Sequence, residues 1–310
     1  MLSQQRIDGI VLLDKSAGLT SNAALQQVKR AFNALKAGHG GSLDPLASGM
    51  LPICLGEATK LAGPMLAGRK CYQFRLHLGV QTTTGDLEGE IVGKQPAPPP
   101  TPEALQSALA AFIGRREQVP PMHSALRHQG ARLYELARRG IEVERSPRVI
   151  EIDSFQLLES DETRLTLQVT CSKGTYIRTL GQDLAVALGT CGHIDCLRRL
   201  WVEPFDAEAM VTIEELQESA GDPVRLGRWL LPLDRGIESW PRVDLDAEAT
   251  RRVLDGQILE LHALADNEAS VRLYGPAGQF LGIAQRDKQG RLAPRRLIAS
   301  QRDAIAADSF

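Results

Sequence analysis

No apolar run in the 310 residues approaches the length of a membrane span. The opening MLSQQRIDGIVLLDK has too short an apolar stretch, and the wrong flanks, for a secretory leader. These absences predict a cytoplasmic protein with no membrane partner. Cysteine is scarce: Cys54, Cys71, Cys171, Cys191 and Cys196 are odd in number and scattered. That pattern excludes a disulfide scaffold and fits a reducing compartment. Cys191 and Cys196 flank His193, but there is no CxxC element and no second Cys/His cluster to close a tetrahedral site. The five therefore read as buried small apolar residues, and no metal is expected. Strong net charge is missing too, at −2, so bulk charge announces no nucleic-acid partner. There is no internal repeat. What remains is an ordinary globular composition, 43% hydrophobic and 24% charged, long enough for a sizeable core and more than one folding unit.

Charge is concentrated locally instead. Arg286, Lys288, Arg291, Arg295, Arg296 and Arg302 stand against Asp287 alone, giving 6 − 1 = +5. Arg127, Arg132, Arg138, Arg139, Arg145 and Arg148 stand against three glutamates, giving 6 − 3 = +3. Either patch suits a phosphate backbone, although taken alone each is more often a solvated face.

GIVLLDK at 9–15 reads as a short buried strand ending in a lysine. Thr20-Ser21-Asn22 offers an N-cap to a helix whose apolar face is Leu25, Val28, Phe32 and Leu35. The next segment, 37–49, holds Gly38, Gly40, Gly41, Gly49 and Pro45. It is expected to be irregular, outside the core, and functional. Residues 95–102 are proline-rich, but Thr101 and Pro102 make a helix start, so they read as a surface connector inside one domain. The helix after them buries Leu105, Ala108, Leu109 and Phe112. Strands are expected at 149–158 and 164–171, then an SKGTY turn and a helix with Leu180, Leu184 and Leu188 on one face. From about Pro241, a short helix over 246–254 and several short strands suggest a small β-rich unit.

An Asp before a Pro in a glycine-rich loop is ordinarily a turn former, and the dipeptide at Asp44 proves no more. Lys15, Tyr72 and Arg178 are ordinary residues taken singly. The surrounding segment, GHGGSLDPLASGMLPICLGEATK at 38–60, closely resembles the signature of the TruB family of tRNA pseudouridine synthases. Further blocks match in order: LLDKSAGLTSN at 12–22, PPMHSALRHQGARLYELARRG at 120–140 and CSKGTYIRTLGQDL at 171–184. GQFLGIAQRDKQGRLAPRRL at 278–297 resembles the RNA-binding domain called PUA. The resemblance spans nearly the whole chain.

It implies an α+β fold: a catalytic domain over 1–240 with a mixed, mainly antiparallel sheet flanked by helices, and a PUA-like domain over 241–310. An RNA-contacting insertion is implied at about 120–149. Asp44 matches the catalytic aspartate, Tyr72 a tyrosine that stacks on the target base, and Arg178 the arginine paired with the aspartate. Leu197 matches an apolar wall of the base pocket. Lys15 and Tyr176 fall at substrate-binding positions, and His39 matches a histidine that wedges into the T-loop. Arg127, Arg132, Arg291, Arg295 and Arg296 are the candidate RNA contacts. The implied partner is the T-stem-loop of tRNA, met by a monomer without guide RNA, and no cofactor is implied. The reaction breaks the N1–C1′ bond of a uridine, turns the uracil and joins C5 to C1′. A carboxylate serves as nucleophile at C1′ or C6, or removes the 2′ proton. In each route it must be ionised in a dry pocket, which a bidentate Arg178 favours. The rival readings are a tRNA-binding or tRNA-folding protein with little catalysis, and the guide-dependent branch, which lacks the basic insertion. Three positions depart from the family pattern: Gly40 replaces a threonine, His123 a tyrosine, and TTTGD at 82–86 loses one carboxylate while keeping Asp86.

Overall fold

The computed structural model describes residues 4–260 and 270–298; Arg302 of the second basic run lies outside the described residues. Among the described residues, twelve strands occupy the chain up to residue 202. They are β1 (Gly9–Lys15), β2 (Ala37–His39), β3 (Ser48–Leu55), β4 (Lys70–Leu78), β5 (Val80–Thr82) and β6 (Ile91–Lys94). Then come β7 (Gly114–Gln118), β8 (Arg127–His128), β9 (Ala131–Arg132), β10 (Arg148–Ser160), β11 (Arg164–Cys171) and β12 (Gly192–Val202). Eight form one sheet in the order β1-β3-β12-β4-β11-β10-β7, with β2 added on β3. Its pairings are antiparallel except β12 with β3, joined in parallel through Arg198↔Ser48 and Arg199↔Gly49. The fold is thus α+β with a mixed, mainly antiparallel sheet, as the resemblance implies.

One face of the sheet carries the main apolar core, and helices cover it. The helix Ser21–Ala31 starts where expected, with the Thr20 hydroxyl accepting from the Ala23 amide. Its Leu25, Val28 and Phe32 are buried, but Leu35 lies past the helix end and is 53% exposed. The helix Pro102–Phe112 carries its predicted Thr101 cap and buries Leu105, Leu109 and Phe112. The helix Ile177–Ala187 places Leu180 and Leu184 in the same core. β1 ends the sheet, yet its free edge is occupied: Ile10 N–H donates to the Leu231 carbonyl and Asp14 N–H to that of Val211.

The glycine-rich segment differs from expectation in two respects. Ala37–His39 forms a strand, because pairing with Leu55–Ile53 satisfies its backbone despite weak strand propensity. Leu43 and Ala47 belong to the main core, 7% and 0% exposed. Burial of that loop is tolerated because Ser21 Oγ both donates to the Leu43 carbonyl (2.9 Å) and accepts from its amide (2.8 Å). Of the cysteines, four are buried, but Cys196 is exposed, beside a bulge in β12. His193 is buried with Nδ1 2.8 Å from the Val80 carbonyl.

Strands β13 (Arg242–Asp244), β14 (Ser270–Tyr274), β15 (Phe280–Arg286) and β16 (Leu292–Leu297) form a second sheet in that order. The helix Ala247–Leu254 packs Val253 against Leu273, Leu281 and Leu292 of this sheet's own core. A seam joins it to the rest: Leu61 and Ile237 cluster with Tyr274, Phe280 and Ile298, and Lys60 Nζ donates to the Leu297 carbonyl at 2.7 Å. No helix among the described residues is long and apolar enough to cross a membrane.

Candidate active site

The loop between β2 and β3 presents Asp44 because it and the start of β3 are gripped from three sides. Lys15, fully buried at the end of β1, donates from Nζ to the carbonyls of Leu19 (2.7 Å), Ser16 (2.9 Å) and Pro45 (3.4 Å). Ser21 clips Leu43, as described above. Arg199, 1% exposed, donates Nε to the Met50 carbonyl (2.7 Å) and NH2 to that of Gly41 (3.2 Å), with NH1 3.5 Å from that of Ser42. Gly49 is required here: its φ is +97°, and a Cβ would lie 2.1 Å from the Arg199 carbonyl oxygen. Gly40 is under no such demand, since a Cβ would meet nothing nearer than 3.6 Å.

Asp44 faces a cavity of about 200 Å³ walled by Tyr72, Leu197, Tyr176, Ile177 and Arg178, with Ser124 and Ala125 from the segment between β7 and β8. Arg178 Nε lies 3.0 Å from Asp44 Oδ2 and 3.4 Å from Asp86 Oδ2. Its other nitrogens donate to the carbonyls of Thr84 (2.9 Å) and His123 (2.7 Å). The contact to Asp44 is therefore single and not the expected fork, because two nitrogens are already committed to backbone. Arg178 is 6% exposed and Asp44 43%, so the cation is the fixed member of the pair and the carboxylate opens to the cavity. Asp86, 2% exposed, is held by the Thr84 hydroxyl (2.5 Å) and the Glu88 amide (3.0 Å). It places a second carboxylate beside the same guanidinium.

Register explains which side chains meet. On β4 and β12, Tyr72↔Arg199 and Phe74↔Leu197 are partners, so alternate residues of both strands share one face. Arg198 points to the other face and forms a two-bond pair with Asp14 (2.9 and 2.7 Å). Burial pushes the Tyr72 phenol up from its ordinary pKa, and the Arg199 charge opposes that shift. Burial likewise raises Tyr176. Burial lowers Lys15 to about 8, with the Asp44 charge opposing.

Tyr72, Arg178, Leu197 and Tyr176 thus gather around Asp44, while Lys15 stands behind the loop and does not line the cavity. His39, on β2, does not line it either; its Nδ1 is buried without a hydrogen-bond partner, and burial followed by the Arg199 charge lowers its pKa. Arg127 and Arg132 are cross-strand partners in the β8–β9 hairpin, and Arg127 lines a separate cavity of about 240 Å³ together with Arg145 and Arg148. Arg291 is ion-paired with Asp287 at 2.9 Å, and Arg295 donates to Gln285. Arg296 is exposed. Sequence reasoning misses Arg199 and the part played by Asp86. The two-residue step from Leu197 to Arg199 is the available signal for the first.

Comparison with solved structures establishes the class of fold. A Cbf5-Nop10-Gar1 complex matches with TM-score 0.71 and 24% identity, over 94% of this chain and 84% of that one. An H/ACA RNP bound to a substrate RNA containing 2′-deoxyuridine matches with TM-score 0.70 and 22% identity, over 93% and 84%. The family follows from sequence. The N-terminal-domain model of the TruB family pseudouridylate synthases matches residues 29–177, and two TruB C-terminal models match 178–238 and 241–298. The tRNA pseudouridine synthase B of Nitrosococcus oceani is 48% identical over 96% of each chain, and that of Coxiella burnetii 45% over 96% of each. The chain belongs to the TruB family of pseudouridylate synthases.

Proposed function

We propose that the protein isomerises uridine 55 in the T-loop of tRNA to pseudouridine, with Asp44 as the essential carboxylate. The observation that carries this reading is the Asp44–Arg178 contact at the mouth of a cavity walled by Tyr72 and Leu197. A stacked base cannot reach that carboxylate, so the uridine must leave the stack, at a cost of a few kcal/mol. Tyr72 and Leu197 supply the face on which the extruded uracil packs. Asp44 attacks C1′ or C6, or takes the 2′ proton; the N1–C1′ bond breaks and C5 joins C1′. The proton leaving C5 balances the one gained at N1, so no redox partner is consumed. The Arg178 guanidinium stands 3.0 Å from the Asp44 carboxylate, a fixed positive charge beside the reacting group.

His39 is the wedge that fills the vacated position, and Lys15 acts from behind by holding the Pro45 carbonyl. Residues 1–240 form the catalytic domain, with RNA contacts from Arg127 and Arg132 in the insertion at about 120–149. Residues 241–310 form the PUA-like domain, whose Arg291, Arg295 and Arg296 follow phosphates. The enzyme works in the cytoplasm as a monomer on tRNA, without guide RNA.

The test is incubation of the purified chain with an unmodified tRNA transcript in the presence of chelator, then mapping of pseudouridine by position. Product at uridine 55 is expected. Product only at other positions, or none without added guide RNA or metal, rejects the reading.

A further inference from the structure

Arg199 carries a full charge in the interior, where a cation is costly unless its donors are occupied. Its three nitrogens turn to the carbonyls of Met50, Gly41 and Ser42, which bracket Asp44 in the chain. Its backbone is the sheet partner of Gly49 on one side and of Tyr72 on the other. It therefore sits where β12 is paired in parallel with β3 on one side and antiparallel with β4 on the other. One residue touches both the loop that presents the carboxylate and the strand that presents the ring.

We infer that Arg199 is a positioning residue that couples Tyr72 to the Asp44 loop: its side chain holds the loop carbonyls while its backbone pairs with Tyr72 across β12 and β4, so that the ring and the carboxylate keep one spacing. This rests on the reading of Asp44 and Tyr72 as the groups that face the uracil. The groups acting on the phenol come from three elements: Arg199 on β12, Cys171 on β11 and Asp44 on the loop. Burial, Cys171 and Asp44 push its pKa up, and Arg199 pulls it down by its charge. A planar guanidinium can serve the three loop carbonyls at once; a lysine cannot reproduce that fork.

The experiment uses full-length protein labelled with 3-fluorotyrosine. There are four tyrosines, so four ¹⁹F resonances arise, and loss of one in Tyr72→Phe assigns the site. In Arg199→Met the Tyr72 resonance should move and its titration midpoint should rise. Single-turnover pseudouridine formation should fall about ten- to a hundredfold, the scale set by misplacing a reacting group by about 1 Å. Arg199→Lys keeps the charge and carries the test if the methionine variant does not fold; it should shift the resonance less and lose less rate. A rate loss with the Tyr72 resonance and midpoint unchanged in the folded variant would mean that Arg199 only staples the loop, and overturns the inference, as does an unchanged rate. The spectra need no turnover, so failure of the functional reading would appear separately, as absence of product from the unaltered chain.

Discussion

Arg178 meets Asp44 through Nε alone, at 3.0 Å, while its remaining nitrogens are tied to the carbonyls of Thr84 and His123. The arginine is thus built into the wall before substrate arrives, and the carboxylate is the movable member. Such preorganisation places a fixed positive charge where negative charge is needed, without reorganisation during reaction. It also explains why His123 in place of a tyrosine need not disturb the site: the atom that Arg178 uses is the backbone oxygen.

Asp44→Asn should abolish turnover, leaving less than roughly a thousandth of the rate, given the ~10²–10⁴-fold that acid–base groups ordinarily contribute. Binding of tRNA should persist, because affinity resides largely in phosphate contacts. Single-turnover kinetics beside filter binding checks both halves; comparable losses in rate and affinity would show that Asp44 acts in binding.

Lys15 predicts a pH dependence. With a pKa of about 8, it is charged below that pH and holds three carbonyls; above it, a neutral amine retains only two N–H donors. The single-turnover rate should decline along a basic limb near pH 8, and Lys15→Met should be slower throughout and lack that limb. Stability moves the other way. The folded pKa of about 8 lies below the unfolded 10.5, so the unfolded chain binds more protons between them. Stability contributed by this group should rise with pH through that window. Urea unfolding of both proteins at pH ~7 and ~10 reads this as a gain of the unaltered chain relative to Lys15→Met.

His39 offers a way to separate extrusion of the base from chemistry. Its Nδ1 has no partner to lose, so His39→Ala should leave the Asp44 loop in place. The variant should be slow on folded tRNA, by no more than the few kcal/mol of unstacking. On a T-loop loosened by base changes, that deficit should shrink, whereas an Asp44→Asn deficit should persist. Equal His39→Ala deficits on the two RNAs would sink the wedge assignment.

Among the C-terminal arginines, the ion pair of Arg291 with Asp287 sets an order. Neutralising Arg295 and Arg296 should lower the slope of log K against log salt by roughly 0.9 for each duplex phosphate no longer neutralised, or 0.7 for single strand. Arg291→Ala should change it less, because Asp287 already shares that charge. Titrations of tRNA binding at several salt concentrations decide the matter, and an unchanged slope in the double variant returns the patch to a solvated face.

Much of this protein is local information, and local information is legible in a linear chain. The Thr20 and Thr101 caps, the alternation of 164–171 and the block around Asp44 each involve neighbours within a few positions, where propensity, period and motif act directly. Periodicity misplaces Leu35 because the apolar spacing continues past the point where the helix stops, and nothing in that spacing records the end. The loop at 37–49 reads as standing outside the core because its own residues cannot bury themselves. Ser21, some twenty residues earlier, satisfies Leu43, and burial follows. Arg198 and Arg199 are indistinguishable in CLRRL. One is an outward partner of Asp14 and the other a buried clamp, and only the pairing of β12 with both β3 and β4 separates them. Residue types and their order determined that a carboxylate, an arginine and a tyrosine belong together. Which atoms of the arginine remain free, and which cation stands behind the tyrosine, depended on long-range register, because backbone carbonyls distant in sequence compete for the same donors.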